Sequence, residues 1–242
     1  MGTSKGYIMP KGGNWTTLKQ DTNKFFRKDI AAKDLIKKYI ETYGGFEKLI
    51  KGSSSGGGGG KGKDTNVLEA VNRVGHFFNT VANNGLTEAL KQEGLNSLIG
   101  KDANEIYSGL LEAFATNSNT LDEIIVRTAL GDLLLELFSD NLEYSALDEA
   151  FNDKIDFEEV QNIIGLFMGY YIYELFCRDF YEDWANKIGT DKANMELKEV
   201  KESAFMLIKL NFDKKKNINL STYKIEQIID KTVSDIKEIF EA

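Results

Sequence analysis

The stretch from Phe157 to Lys187 repeats apolar side chains at helical spacing on more than one face of the helix that it predicts. A surface helix usually shows one apolar stripe, whereas a helix that is apolar on several sides is surrounded by other helices. Gly165 and Gly169 lie four residues apart on one side, where they would let a neighbouring helix approach closely. We therefore predict the central helix of a bundle, with apolar positions at Ile163, Ile164, Phe167, Met168, Tyr171, Ile172, Leu175, Phe176 and Phe180.

Most of the remaining chain also predicts helices, so the expected fold class is an all-α helical bundle. Gly44 follows a stripe of apolar residues and is expected to end their helix in the left-handed conformation. Asp102 and Thr120 are each followed three residues later by a glutamate, which is the spacing of a capping box at a helix start. The stripe before Gly44 consists of Leu35, Ile36, Tyr39, Ile40 and Tyr43.

The last part of the chain predicts two helices, over 194–210 and 221–240, that are joined by a loop. The joint could instead hold a short hairpin, because residues 208–212 and 218–223 alternate weakly between apolar and polar side chains. We prefer the helices and the loop, and the hairpin stays open as the alternative.

A run of glycine and serine divides the chain into two helical parts. Residues 52–63 cannot regain their conformational entropy by burial, so we expect a disordered linker there. Before the linker we predict a flexible, extended arm over 1–15 and a basic helical segment over 16–51, and after it an acidic α-helical domain over 64–242. A phosphate-binding loop is disfavoured, because Asp64 stands where that motif needs a serine or threonine.

Charge is distributed unevenly between these parts. Residues 1–63 carry 13 Lys or Arg and 5 Asp or Glu, whereas residues 64–242 carry 17 and 33. The resulting net charges of +8 and −16 predict that the two parts attract each other or attract different partners.

The basic first part also suggests an alternative function as a nucleic-acid-binding adaptor. The acidic remainder of the chain would repel phosphate, which disfavours this alternative. The surface in question would consist of Lys24, Arg27, Lys28, Lys33, Lys37 and Lys38, with Phe25 and Phe26 nearby.

Residue types that usually carry out chemistry are scarce, and we predict no catalytic and no metal-binding residues. His76 is the only histidine and belongs to an apolar helix pattern, which favours a structural role. Cys177, the only cysteine, falls within the central helix and is interpreted as a small buried apolar residue. Residues 148–159 fail as a calcium loop, because Asp153 occupies the position of the required glycine. We therefore expect a protein that is not an enzyme.

The sequence also predicts where the protein resides. Its beginning lacks the apolar core of a signal peptide, and a single cysteine favours a reducing compartment, so we expect a cytoplasmic protein. The longest apolar run, over 160–177, is interrupted by Gln161, Asn162 and Glu174. Such interruptions favour a buried core helix over a membrane span.

The first fifteen residues have neither helical nor strand periodicity, and they contain the only proline and one of the two tryptophans, Trp15. We interpret them as an exposed arm that ends in an anchoring ring. Removal of Met1 before the small Gly2 would expose an unhindered α-amine, which is a nucleophile. Myristoylation of that amine is disfavoured, because Gly6 occupies the position that should be serine or threonine.

Several motifs carry a resemblance to a known family. The arm contains Met1-Gly2-Thr3-Ser4-Lys5-Gly6-Tyr7, Met9-Pro10, Gly12-Gly13 and Trp15-Thr16-x-Leu18-Lys19. The later motifs are Gly44-Gly45, the glycine-rich linker, Gly85-Leu86-x-x-Ala89-Leu90, Leu110-Leu111 and Thr120-Leu121-Asp122-Glu123. Together they resemble the QatB proteins of the bacterial Qat anti-phage system over most of the chain, and the N-terminal signature is the specific part.

This resemblance implies a subunit of an antiviral defence system that also includes an ATPase, a QueC-like enzyme of the QatC type and a TatD-like nuclease. QueC-like enzymes use ATP to activate a 7-deazaguanine carboxylate and join it to a nitrogen nucleophile. The resemblance thus implies that Gly2 receives a 7-deazaguanine through an amide, with no other cofactor. The arm residues expected to bind the QueC-like partner are Gly2, Thr3, Ser4, Lys5, Gly6, Tyr7, Met9, Pro10 and Trp15. A purely structural assembly subunit is the third functional class.

Overall fold

A computed structural model describes residues 12–51, 67–115, 121–138, 143–214 and 223–241. These residues form α-helices and one short 3₁₀ helix, and no strand occurs among them, which confirms the all-α fold class. Most of the predicted arm and the whole predicted linker lie outside the described residues, and their conformations stay predictions.

The helices follow one another along the described ranges of the chain. The first begins at Gly13, so three residues that we assigned to the arm belong to a helix. The helices are α1 (Gly13–Phe26), α2 (Ala32–Tyr43), α3 (Phe46–Lys51), α4 (Val67–Gln92), α5 (Ala103–Phe114), α6 (Leu121–Leu137), α7 (Tyr144–Lys154), α8 (Phe157–Ile188), α9 (Thr190–Lys214) and α10 (Ile225–Glu241), with the 3₁₀ helix at Asn96–Leu98.

Helix α8 lies at the centre of the fold, as its apolar pattern predicts, and α4, α6, α9 and α10 all pack against it. Asp156 caps its N-terminus, where the Asp156 side chain accepts a hydrogen bond of 2.8 Å from the backbone N–H of Glu159. Its apolar residues are buried on several sides, so the interpretation of 160–177 as a core helix is confirmed. Across the described ranges, no helix is both long and apolar enough to cross a bilayer.

The two glycines of α8 bring α9 into close contact. A Cβ atom on Gly169 would lie 2.6 Å from Cε1 of Phe205, and one on Gly165 would overlap the ring of Phe212. Side chains at either glycine would therefore push α9 away, and the predicted close approach of a neighbouring helix is confirmed.

Several predicted helix ends are also confirmed. The Asp102 side chain accepts a hydrogen bond of 2.9 Å from the backbone N–H of Glu105 at the start of α5. Gly44 ends α2 in the left-handed conformation with a φ of 93°. Helix α4 is interrupted at Gly85, where the backbone leaves the helical conformation with a φ of 83°. Thr120, the other predicted cap, lies outside the described residues.

The hairpin alternative near the C-terminus is not supported where the structure describes it. Residues 208–212 belong to α9, which continues to Lys214, so the preferred helix is confirmed over that stretch. The other half of the proposed hairpin lies almost entirely outside the described residues.

The basic N-terminal helices pack onto the acidic body. Phe25 of α1 stacks against Trp184 of α8 with ring centroids 5.8 Å apart. Lys28 forms ion pairs of 2.8 Å with Glu196 and 2.7 Å with Glu199 on α9. The structure thus favours mutual attraction of the two parts over separate partners for each.

Candidate functional site at the base of the N-terminal arm

The structure describes only one of the residues that were predicted to bind a partner. Trp15 is described, and it marks where the arm joins the folded body. The remaining predicted residues lie outside the described residues: Gly2, Thr3, Ser4, Lys5, Gly6, Tyr7, Met9 and Pro10. Their roles in docking and modification stay predictions.

Trp15 occupies the first turn of α1 and rests on two tyrosines of α2. Its half-buried ring meets the Tyr43 ring edge-to-face at 5.3 Å between centroids and the Tyr39 ring at 6.3 Å. Edge-to-face pairs each contribute roughly 0.5–1.5 kcal/mol beyond the burial of their area. These contacts fix the base of the arm against the body.

Gly12 precedes the helix and sets the direction in which the chain enters it. Its φ of 154° and ψ of 170° lie in a region that only glycine adopts without strain. The Gly12 carbonyl accepts hydrogen bonds from the backbone N–H of Thr16 at 2.9 Å and from Thr16 Oγ1 at 3.0 Å. The first turn of α1 is therefore formed directly after the arm.

A buried polar network lies beneath the tyrosines that support Trp15. The Asp179 carboxylate of α8 accepts hydrogen bonds from the Tyr39 hydroxyl at 2.7 Å and from the Tyr43 hydroxyl at 2.8 Å. Arg178 donates a further bond of 2.9 Å from Nε to Asp179 and another from its Nη2 to the Tyr43 oxygen. A buried carboxylate is tolerated when several donors and a cation satisfy it in this way.

The electrostatics of this network favour a fixed protonation state. Burial raises the pKa of Tyr39 well above its usual value, and the adjacent Asp179 carboxylate raises it further. Burial of Arg178 opposes its charge, but the neighbouring Asp179 and Tyr43 outweigh that effect and raise the pKa of the guanidinium. At neutral pH Tyr39 stays a neutral donor and Arg178 stays charged, so both keep the hydrogen bonds to Asp179 that hold the base of the arm.

Sequence patterns alone did not identify this network. Tyr39 and Tyr43 match the apolar stripe of α2, and their hydroxyl groups carry no pattern of their own. The available signal was Asp179, an acidic residue at helical spacing from the apolar Leu175 and Phe176, because a buried carboxylate requires partners.

Of the two residues considered for chemistry, Cys177 was predicted to be buried and is half-buried in the structure. Burial raises the pKa of Cys177 to about 12, so its side chain stays a thiol at neutral pH. His76 is exposed, and its Nε2 atom lies 4.0 Å from Glu226. Within the described part of the chain, no group of three or more His, Cys, Asp or Glu residues could hold a metal ion.

The surface considered for nucleic acid is partly neutralised within the chain. Lys24 and Lys38 each form an ion pair of 2.7 Å with Asp21. Lys28 is paired with α9, and Arg27 is paired with Asp29 at 2.9 Å. The nearby aromatic rings pack against Trp184 instead of facing solvent. These contacts reduce both the charge and the stacking surface that nucleic acid would need.

Comparisons with known proteins identify one family. The family model described as "QatB: Qat anti-phage system associated protein QatB" matches residues 65–240. The match covers most of the chain and includes every helix from α4 to α9 as well as nearly all of α10. Comparison with curated proteins and with solved structures gives no match.

Proposed function

The chain belongs to the QatB family of Qat anti-phage system associated proteins, and from this premise we propose that it is a non-catalytic subunit whose N-terminal arm docks into a QueC-like partner enzyme. The proposal includes conjugation of Gly2 to a 7-deazaguanine. It rests on the arm signature, which resembles that of the family, and on the way in which the fold supports the base of the arm.

The observation that carries the proposal is the packing of the Trp15 ring against the rings of Tyr39 and Tyr43. Below these rings, Asp179 and Arg178 tie α2 to the central helix. The eleven residues before Gly12 therefore start from a fixed point on the body. Fully extended, eleven residues span at most roughly 40 Å, which is long enough to enter the cleft of an enzyme.

The chemistry expected at Gly2 is amide formation. After loss of Met1, the neutral α-amine of Gly2 would attack the activated carboxyl carbon of the deazaguanine. The activating group would leave with its bonding electrons, and the nitrogen would lose a proton to give the amide. The partner supplies the activation, so the body of this protein needs no catalytic group of its own.

The other components of such a system, an ATPase and a TatD-like nuclease, are further proposed partners. A nucleic-acid-binding adaptor is less well supported, because several cations of the basic segment are paired within the chain. A purely structural assembly subunit would fit the fold but leaves the arm signature without a role.

Deletion of residues 2–11 tests the docking step while α1 and the Trp15 contacts are retained. We expect the variant to fold with unchanged helicity but to lose capture of the QueC-like enzyme. A matched control keeps the length of the segment and scrambles its order. In the deletion variant Gly12 follows Met1 and would become the new terminal glycine. Unchanged capture by both variants would contradict docking through the arm.

A further inference from the structure

Helix α9 has two opposite faces with different surroundings. Its inner face packs on the central helix α8, where Ile208 and Phe212 are buried. Its outer face carries Met195, Met206 and Leu210, which are 72%, 61% and 52% exposed. Single apolar side chains are ordinary on a protein surface, whereas several on one face of a helix mark an interaction site.

The three exposed apolar side chains lie along one stripe of α9. Met195 and Met206 are eleven residues apart, which is about three helical turns, and Leu210 follows one turn later. Met195 therefore lies toward one end of the stripe and the other two toward the opposite end, with polar residues between them. Two such stripes that run in opposite directions would bring Met195 of each helix next to Met206 and Leu210 of the other.

One edge of the same face carries exposed charges of alternating sign. In chain order they are Asp191, Lys198, Glu202 and Lys209. The outer two, Asp191 and Lys209, each lie nine residues from position 200. The inner two, Lys198 and Glu202, each lie two residues from it. Reversing the direction of the helix thus places every charge opposite one of the other sign, so this edge is complementary to itself.

We propose that the outer face of α9 is a contact surface for a second copy of this chain, with the two α9 helices antiparallel about a two-fold axis beside position 200. The symmetry makes each contact occur twice. Met195 packs against Met206 of the second copy. Lys198 pairs with Glu202 of the second copy, and Asp191 and Lys209 pair in the same way near the ends of the contact.

The acidic residue near the axis on the other edge of the face is Glu199. Within its own chain it is paired with Lys28 at 2.7 Å. This pair reduces the repulsion between Glu199 and Glu202 of the second copy. The charges near the axis therefore do not oppose the contact.

The size of the surface sets the strength of the expected dimer. The stretch 191–210 is about 30 Å long and a helix is about 10–12 Å wide, so the contact is smaller than the roughly 800 Å² per partner of a standard interface. We therefore expect a reversible dimer with a dissociation constant of about 10–100 μM. The dimer carries two N-terminal arms, and its formation does not depend on the modification of Gly2.

Sedimentation equilibrium of the full chain, from well below to well above the expected dissociation constant, tests the surface. Met206→Glu places a charge in the apolar contact and should weaken the dimer by about tenfold or more. Leu135→Glu is the matched control, because Leu135 is 60% exposed on α6 and lies outside the proposed contact. We expect this control to leave the dissociation constant unchanged. A chain that stays monomeric over the whole range, or equal effects of the two variants, would overturn the proposal.

A charge exchange between two chains tests the antiparallel register. Lys198→Glu alone and Glu202→Lys alone each place like charges opposite each other twice, so each should weaken its own dimer by about tenfold. In a mixture of the two variants every one of these pairs again joins opposite charges. We expect the mixed dimer, followed with a fluorescent label on one variant, to regain the dissociation constant of the unsubstituted chain within about threefold.

The mixture separates contacts between chains from contacts within one chain. Lys198 and Glu202 also form an ion pair of 3.8 Å in their own helix, and mixing cannot repair that pair. Circular dichroism of each variant verifies that α9 remains folded. A mixture that associates no better than the separate variants would contradict the antiparallel pairing of α9.

Discussion

The Tyr43 hydroxyl donates a hydrogen bond of 2.8 Å to the Asp179 carboxylate, although 136 residues of sequence separate the two. Tyr39 donates to the same carboxylate, so α2 and α8 share one buried acceptor. Trp15 rests on both tyrosine rings. The base of the N-terminal arm is therefore connected to the central helix through Tyr39, Tyr43 and Asp179, each of which can be changed by a single substitution.

Asp179→Ala should destabilise the protein strongly. The substitution leaves two tyrosine hydroxyls and the mostly buried Arg178 guanidinium without their shared acceptor. Removal of one partner from a buried pair costs about 3–5 kcal/mol, measured as the free energy of unfolding in urea. Asp183→Ala, which removes a half-exposed ion pair with Lys187 on the same helix, should cost less than about 1 kcal/mol. Equal losses would show that the network does not stabilise the fold.

Gly165→Ala and Gly131→Ala should change stability in opposite directions. At Gly165 the new methyl group would overlap Phe212 and lie 3.0 Å from Cγ2 of Ile208, both of which are buried. We expect a loss of roughly 1–3 kcal/mol from this overpacking. At Gly131 the closest atom lies at 3.5 Å, so the higher helix propensity of alanine should add up to about 1 kcal/mol. Thermal unfolding of both variants distinguishes these effects, and a stabilised Gly165→Ala would contradict the close packing of α8 and α9.

Gly12→Ala and Gly13→Ala compare two adjacent positions at the base of the arm. Both glycines have open space around a Cβ atom, but only Gly12 has a φ in the region that favours glycine. Gly12→Ala should introduce backbone strain of about 1–3 kcal/mol, which we expect to appear as fraying of the first turn of α1. Gly13→Ala should be neutral or stabilising by up to about 1 kcal/mol. Amide hydrogen exchange in the first turn of α1 measures the difference, and equal protection in both variants would contradict the strained entry.

Glu174→Gln should remove a pH dependence of stability. The pKa of Glu174 is about 7 in the folded chain against 4.5 for an unperturbed glutamate, because burial and Asp132 outweigh Lys201. Between these values the folded state holds the proton more tightly than the unfolded state, so stability falls as the pH rises from about 4.5 to 7 and then levels off. The other titratable groups around Glu174 are Tyr173 and Cys177 of α8.

The measurement is the difference in unfolding free energy between Glu174→Gln and the unsubstituted chain across pH 4 to 8. We expect this difference to grow in favour of the variant over the pH window given by the two pKa values. Glu182→Gln at an exposed position of α8 is the control and should not reproduce this growth. A flat difference for both variants would show that Glu174 has an ordinary pKa.

The sequence was sufficient for the helices and for several of their ends, because these depend on neighbours along the chain. The stripe of α2, its end at Gly44 and the cap at Asp102 all follow local rules of spacing and backbone conformation. The Asp156 cap was missed because we considered its surroundings only as a calcium loop, although Asp156 and Glu159 have the capping spacing.

The candidate site was less predictable, because its contacts join distant segments. Trp15 was expected to anchor the arm, but nothing in the sequence indicates that its ring packs against Tyr39 and Tyr43. Glu196 shows the same limit: it lies in an acidic stretch of the sequence, yet it is buried and paired with Lys28. Charge patterns left open whether the two parts attract each other or different partners, and they did not predict which residues meet.

The proposed modification of Gly2 is tested most directly by the intact mass and the N-terminal peptide of the protein after co-expression with its QueC-like partner. The account predicts a chain without Met1 that carries one 7-deazaguanine acyl group on the Gly2 nitrogen, and no such addition when the partner is omitted. An unmodified Gly2 amine in cells whose defence system is active would contradict it.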